Sequence, residues 1–459
     1  MGITIETNIK ERARQFLGDR VFKTAVSYLE KDPYNNLIKT MELIKKGPIS
    51  PNHYKLIEDA RYQLENDPVK QEYLQRIFAN VSKNVQQKGL VNLFLNAMLM
   101  GVPRQNKMAA NLGVNVPFTI LIDPTSKCNL NCTGCWAGAY ERHNSLKFEE
   151  VDRIITEGKE LGIYFIALSG GEPFMWPRLF ELFRKHHDTA FMVYSNGTLI
   201  NKKIAEKLEE IGNVSVTLSL EGGRDTTDAR RGKGVYDKVL KAMKNLREVG
   251  VPIGFSVTLT RENCEETMSD EFLDTMIQKG ALYGWSFHYI PIGSEPDISK
   301  MLTPEQRSWL VKRVKEIRMN KPLQIADFWN DASLPGGCIA GGRRYFHITA
   351  SGDVEPCAFV HFAADNIQGK SLKEILKTPI FRAYQKRQPF SHNMLRPCPI
   401  IDVPKALKDI VNESGAEATH PGADNVLSGE LADRIEKRSE EWKEKTEKLV
   451  GSTYSRVNL

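Results

Sequence analysis

Three cysteines fall within eight residues of one another in Lys127-Cys128-Asn129-Leu130-Asn131-Cys132-Thr133-Gly134-Cys135. Soft thiolates clustered so tightly suit three corners of an iron–sulfur cubane, or part of a zinc site. Structural zinc takes four protein ligands, so the zinc alternative needs a fourth, such as nearby His143. The plain alternative is a set of buried packing cysteines. Cys338, Cys357 and Cys398 form a second, looser group, and Cys264 stands alone. Seven cysteines in 459 residues, an odd number, exclude a disulfide scaffold.

Three other segments carry polar residues beside glycine: Ser169-Gly170-Gly171-Glu172-Pro173, Tyr194-Ser195-Asn196-Gly197-Thr198 and Ser219-Leu220-Glu221-Gly222-Gly223, the last followed by Arg230-Arg231. Two residues without Cβ let a backbone come close to a ligand, and a glutamate beside them can receive an ammonium group. Loop caps and a surface charge are the plain readings of Ser195, Asn196 and Arg231.

The elements that must position these residues follow from the hydrophobic pattern. Short β-branched or aromatic runs at 118–122, 163–169, 190–195, 214–220, 252–259 and 285–292 read as strands. Amphipathic stretches near 148–161, 177–187, 201–211, 235–249, 270–280 and 304–319 read as helices, the last opened by the capping pattern Thr303-Pro304-Glu305-Gln306. Six βα units imply a parallel sheet, open or partly closed, with function in the loops after the strand ends. The cysteine motif and the three polar segments follow the first four strands in order.

Residues 1–115 read as helical, with Asp32-Pro33, Ser50-Pro51 and Asp67-Pro68 as helix starts. After about 322 the alternation stops. A hairpin (343–349 with 354–360) and a short helix at Leu372–Leu376 read as a small separate module, and 427–449 as a charged helix packed on the body. The expected division is 1–115, 116–321, 322–402 and 403–459.

The cysteine spacing after the first strand, together with the three polar segments, resembles the radical S-adenosylmethionine enzymes. The resemblance implies a partial (β/α)6 parallel barrel, here with a helical N-terminal domain and a small C-terminal iron–sulfur module. It implies that Cys128, Cys132 and Cys135 hold a 4Fe–4S cluster whose open iron is chelated by S-adenosyl-L-methionine. One electron then cleaves the S–C5′ bond, and the 5′-deoxyadenosyl radical removes a hydrogen from an unactivated C–H bond. Gly170, Gly171 and Glu172 would hold the amino end of S-adenosylmethionine, Ser195, Asn196 and Ser219 would sit near its ribose or carboxylate, and Arg231 would pair with the carboxylate. The family often has an aromatic just before the third cysteine; here that position is Gly134, and Trp136 either takes over the stacking on adenine or packs in the core.

Cys338, Cys357 and Cys398 around the hairpin resemble the auxiliary-cluster modules called SPASM and Twitch. With only three cysteines, at most one auxiliary 4Fe–4S cluster is expected, its fourth ligand being Asp402, His361, Cys264 or the substrate. The implied electron donor is a low-potential flavodoxin or ferredoxin.

Residues 1–115 hold 17 basic and 11 acidic groups, more than the whole chain's +6 would give evenly. That excess does not call for nucleic acid. The apolar stretch Leu90–Gly101, followed by Arg104 and Lys107, is too short to span a membrane. It reads as core packing or as an interfacial element suited to a lipid substrate at a membrane surface. Met1–Lys10 has no signal-peptide core, so a cytoplasmic location, with peripheral membrane contact through the N-terminal domain, is expected. The expected substrate is a lipid chain, the alternative a peptide or protein or another small molecule. A non-catalytic iron–sulfur carrier or zinc-binding module is the competing class.

Overall fold

A computed structural model of the chain describes residue 28, residues 31–45 and residues 51–453. Ser50 and the Met1–Lys10 segment lie outside the described residues. Seven parallel strands form the body: β1 (Thr119–Ile122), β2 (Phe165–Leu168), β3 (Ala190–Ser195), β4 (Val214–Leu220), β5 (Ile253–Leu259), β6 (Ala281–His288) and β7 (Gln324–Asp327). Helices Phe148–Leu161, Leu179–Lys185, Lys202–Ile211, Val235–Val249, Asp270–Gln278 and Pro304–Asn320 connect them. Their apolar faces, including Ile154, Leu182, Leu208, Met243 and Leu273, cover the outward strand side chains Ile120, Ile166, Val216, Leu218 and Phe255 in one continuous core. Thr303 and Gln306 close the expected capping box, each bonding the other's backbone N–H at 3.1 Å.

Two boundaries differ from the sequence reading, each for a local reason. The sixth strand runs from Ala281 to His288 instead of from 285 to 292. It starts directly after the left-handed Gly280, and past Tyr289 the chain folds into a tight turn in which Ile292 N–H donates to Ile290 O, with Pro291 unable to donate to a ladder. The alternation also does not stop at 322, because β7 pairs with β6.

The C-terminal hairpin does not stand apart. β8 (His347–Ile348) pairs parallel with β1 and antiparallel with β9 (Val354–Glu355), so the sheet order is β7-β6-β5-β4-β3-β2-β1-β8-β9. Two further short strands, β10 (Phe362–Ala363) and β11 (Glu417–Ala418), pair with each other. The last helix, Glu430–Thr453, lies on the body as expected: Trp442 is buried, donates to Leu395 O and has the Arg307 guanidinium over its ring.

The described N-terminal residues are helical: Pro33–Lys45, Pro51–Asn66, Pro68–Asn80, Lys83–Gly89, a π-helix over Leu90–Gly101, and Val102–Leu112. Asp67 caps its helix by accepting from Val69 and Lys70 N–H. The π-helix reverses the usual polarity. Asn92 and Asn96 are buried and donate to the carbonyls of His187, Thr189 and Asp188 beside β3. Leu93, Phe94, Met98 and Leu99 are 41–50% exposed. The amides face inward because those loop carbonyls, left without ladder partners, need donors.

Candidate active site and cluster sites

The cysteine loop leaves β1 at Asp123 and is clamped along its length. Gly171 N–H donates to Thr125 O at 2.9 Å and Glu172 N–H to Lys127 O at 2.8 Å. A Cβ on Gly171 would overlap the Lys127 carbonyl, and Gly170 adopts φ +104° with a virtual Cβ only 2.6 Å from Thr125 O. The two glycines therefore seat the end of β2 against the backbone that leads into Cys128. On the far side Arg230 donates to the carbonyls of Thr133 and Gly134, while Ser294 N–H reaches Cys135 O at 3.1 Å. Gly134, in the left-handed region, lies on the Tyr289 ring.

The Glu172 carboxylate is fully buried and turned inward. It accepts from the Ser195 hydroxyl and Asn196 N–H, both at 2.8 Å, and from Phe174 N–H at 3.2 Å. Asn196 in turn reaches toward the Cys128 sulfur at 3.8 Å and bonds Asn129 at 2.9 Å. Sequence-predicted Gly170, Gly171, Glu172, Ser195 and Asn196 thus form one network that holds the first thiol. Burial pushes the Glu172 carboxyl up to about 7 against the three donors that lower it. A folded-state value above the ordinary one means the folded chain holds the extra proton between about pH 4.5 and 7, so this group's contribution to stability falls as pH rises through that window. In Glu172→Gln an amide NH2 must face one of the three donors. The expected loss is about 1–3 kcal/mol in denaturant unfolding, with a flatter dependence on pH in that window than in the parent.

Sequence reasoning did not single out Glu221, although it lies within the segment after β4. One of its oxygens accepts from Arg231 Nε at 2.8 Å and forms an ion pair with Arg230 at 2.6 Å; the other, Oε2, is buried with no hydrogen-bond partner among the described residues. Arg231 is largely buried beside Cys132 and Cys135; burial lowers its pKa, but the negative charge of Glu221 and of the neighbouring sulfurs outweighs that and raises it. Burial raises the Cys132 thiol while Arg231 opposes that shift. Ser219 sits deeper in the barrel, 3.3 Å from Ser256. A single carboxylate shared by two guanidiniums, next to a thiol trio, leaves net positive charge where an anionic ligand group would bind.

Three soft thiols on one loop fit a cubane with one iron left for a ligand. They do not fit the zinc alternative: His143 is exposed and pairs with Glu141 at 3.3 Å. Among the described residues no three His, Cys, Asp or Glu side chains converge on a single-ion site. Trp136 turns toward the C-terminal module. Its ring lies 5.6 Å from His347, 6.2 Å from Phe359 and 6.5 Å from Tyr140, edge-on to each. His347 bridges Asp123 at 3.0 Å and Glu355 at 2.8 Å; burial lowers its pKa, but the two carboxylates outweigh that and lift it to about 10. The imidazolium therefore ties the β8–β9 hairpin to the start of the cysteine loop.

Cys338, Cys357 and Cys398 line one cavity of about 200 Å³ together with Trp285, Phe359 and Tyr384. Burial pushes Cys338 up to about 11 and Cys357 up to about 12, so without a metal these thiols are neutral. Backbone N–H groups of Phe359 and Ile400 point at Cys357 and Cys398 sulfur at 3.5 and 3.4 Å, and the Tyr345 hydroxyl is 2.8 Å from Cys357 sulfur. Such donors stabilise thiolate ligands. The proposed fourth ligands are engaged elsewhere. Asp402 pairs with Arg307 at 2.8 Å and accepts from Cys398 N–H at 3.0 Å, and His361 bonds Ala358 O and His420. Cys264 is buried at the start of the helix Cys264–Thr267, away from the cavity lining, its thiol pushed up to about 12 by burial. An aromatic wall joins the barrel to this cavity: Tyr194 to Phe287 at 6.1 Å, Phe287 to Phe328 at 5.4 Å, and Phe287 to Phe359 at 6.1 Å.

Comparison with known proteins bears on both cysteine sites. Residues 122–272 match the radical SAM superfamily and residues 338–399 the SPASM iron–sulfur cluster-binding domain. The chain is similar to the Fe-coproporphyrin III synthase of Methanosarcina barkeri (strain Fusaro / DSM 804), 37% identical over 31% of this chain and 37% of that protein. That match spans little more than a third of the relative's length. It is also similar to the mycofactocin maturase MftC of Mycobacterium tuberculosis (strain CDC 1551 / Oshkosh), 28% identical over 56% of this chain and 68% of that protein. Among solved structures, Streptococcus suis SuiB bound to precursor peptide SuiA superposes with a TM-score of 0.54 at 18% identity, covering 65% of this chain and 75% of that one, a likeness of fold.

Proposed function

This chain belongs to the radical SAM superfamily and carries a SPASM module, and from that premise we propose that it is an enzyme modifying a peptide or protein substrate. The radical SAM domain implies a 4Fe–4S cluster and S-adenosylmethionine, and the SPASM domain implies auxiliary iron–sulfur. When bound, that pair supplies the 5′-deoxyadenosyl radical that removes a hydrogen atom. The chain's residues do the rest. Cys128, Cys132 and Cys135 would hold the cluster, the Gly170–Glu172 segment and Ser195–Asn196 would fix its loop and border the methionine end, and Arg231 would meet the carboxylate. Ser219 and the free oxygen of Glu221 offer acceptors for ribose hydroxyls. Trp136 packs the loop against the C-terminal module. A low-potential flavodoxin or ferredoxin is the donor this reading calls for.

What supports a peptide over the lipid chain read from sequence is the run of maturase relatives, MftC and the sporulation killing factor maturation protein SkfB of Bacillus subtilis among them. The aromatic wall from Tyr194 to Phe359 gives the barrel mouth a broad apolar floor. The test uses reconstituted, reduced enzyme with S-adenosylmethionine and either peptide or lipid fractions from deuterium-grown cells. Deuterium in 5′-deoxyadenosine from the peptide fraction is expected; label from the lipid fraction alone would overturn the reading.

One observation favours the lipid reading. The outward Leu93, Phe94, Met98 and Leu99 face sits within residues 83–112, which hold four basic side chains and no carboxylate. No helix among the described residues is long and apolar enough to cross a membrane. Peripheral contact with an anionic surface is proposed for this face. Replacing the four apolar residues by Ser is expected to cut sedimentation with phosphatidylserine vesicles at low salt at least fivefold. No vesicle binding by the parent chain would sink the proposal.

A further inference from the structure

The auxiliary cavity leaves one donor unexplained. Three oxygen-bearing side chains line it: Asp327, Asp331 and Tyr384. Asp327 accepts from Trp329 N–H, Asn330 N–H and the Asn330 amide within its own turn. Asp331 pairs with Arg318 and accepts from Asp327 N–H. Tyr384 is wholly buried, and among the described residues its hydroxyl has no hydrogen-bond partner. Tyr384 lines the same cavity as Cys338, Cys357 and Cys398.

The surroundings hold the ring in this place. Tyr384 lies on the helix Pro379–Arg387, and Phe390 meets its ring edge-on at 5.4 Å. Gly341, in the left-handed region at φ +66°, is covered by the ring: a Cβ there would stand 2.6 Å from Tyr384 Cδ1. Gln388, one helical turn on, donates to the carbonyls of Cys338 and Ala340, fixing the helix end to the first cysteine's loop. A buried hydroxyl without a partner costs about 1–3 kcal/mol, so its retention among three thiols calls for a partner that the protein atoms do not supply.

We propose that the Tyr384 oxygen is the fourth protein ligand of the auxiliary cluster, completing the set of Cys338, Cys357 and Cys398. The assignment rests on the auxiliary-cluster reading of the SPASM match. On ligation the phenol O–H bond is replaced by an O–Fe bond and the proton leaves to solvent as the cluster assembles; no electron is transferred. An oxygen ligand on one iron makes that iron spectroscopically distinct from three thiolate-bound ones.

The experiment uses the full chain with Cys128, Cys132 and Cys135 replaced by Ala, reconstituted anaerobically, so that the remaining iron reports the auxiliary site alone. The expected result is about four irons per chain, one of them a distinct Mössbauer doublet. Adding Tyr384→Phe is expected to lower the count to about three and to give a 3Fe–4S electron paramagnetic resonance signal on oxidation. Adding Tyr384→Cys instead is expected to restore four equivalent thiolate sites, which decides the matter should the Phe variant fold poorly. Four irons with unchanged spectra in both variants would overturn the role of Tyr384 while leaving the cluster in place. No iron in the parent triple variant would overturn the auxiliary-cluster reading and the ligand assignment together.

Discussion

Replacing Cys128, Cys132 and Cys135 by Ala is expected to remove the cluster-bound iron of the first site and to stop formation of 5′-deoxyadenosine, a fall of at least about a thousandfold, or about 4 kcal/mol of barrier. The size of the effect follows from the donor set. Among the described residues no other thiol neighbours this loop, since Cys264 is buried in its own helix and the remaining three line the auxiliary cavity. The fold is expected to survive, because the loop is held through its backbone by the N–H groups of Gly171, Glu172 and Ser294 and the Arg230 guanidinium, and not by its sulfurs. The measurement is 5′-deoxyadenosine per chain under dithionite, with iron content read in parallel. Normal 5′-deoxyadenosine from the triple variant would refute the assignment of this trio.

Asp402→Asn is expected to be the most damaging single change outside the first site. Asp402 is fully buried, pairs with Arg307 at 2.8 Å and accepts from Cys398 N–H at 3.0 Å. Arg307 is itself buried, its guanidinium 4.2 Å from the Trp442 ring, so the substitution strands a cation in the interior. Removing one partner of such a pair costs about 3–5 kcal/mol, more than a surface salt bridge by several fold. Because the same carboxylate seats Cys398, auxiliary iron should fall along with stability. The check is denaturant unfolding together with iron retention in the background lacking the first cysteine trio. An unchanged unfolding midpoint would rule out the pair as a structural anchor.

Much of the fold was legible because strands and helices of a βα barrel leave separate periodicities. The runs at 190–195 and 214–220 and the helix at 235–249 match the observed elements to the residue. The misplaced sixth strand shows where the pattern fails. Its first half, Ala281-Leu282-Tyr283-Gly284, lies outside the run read as a strand, and the structure shows the Phe255 ring lying over Gly284, where a Cβ would not fit. The apolar run Leu90–Gly101 reads either as core packing or as an interfacial element, and the pattern does not choose between them: the structure buries its two asparagines with Ala97 and Gly101 and turns Leu93, Phe94, Met98 and Leu99 outward.

The chemistry expected of the first site can be read along the chain. Thiol spacing, the glycine pair and the polar residues at three strand ends are local features, and local features are written in adjacent residues. Partnerships between distant segments emerge only with the packing of the fold. The inward turn of Glu172 onto Ser195 and Asn196, the sharing of Glu221 by two arginines, and the gathering of Cys338, Cys357, Cys398 and Tyr384 around one cavity each join residues that packing, and not chain order, makes neighbours. No periodicity encodes them, because the free energy that selects them comes from satisfying buried polar groups once the barrel has closed around them.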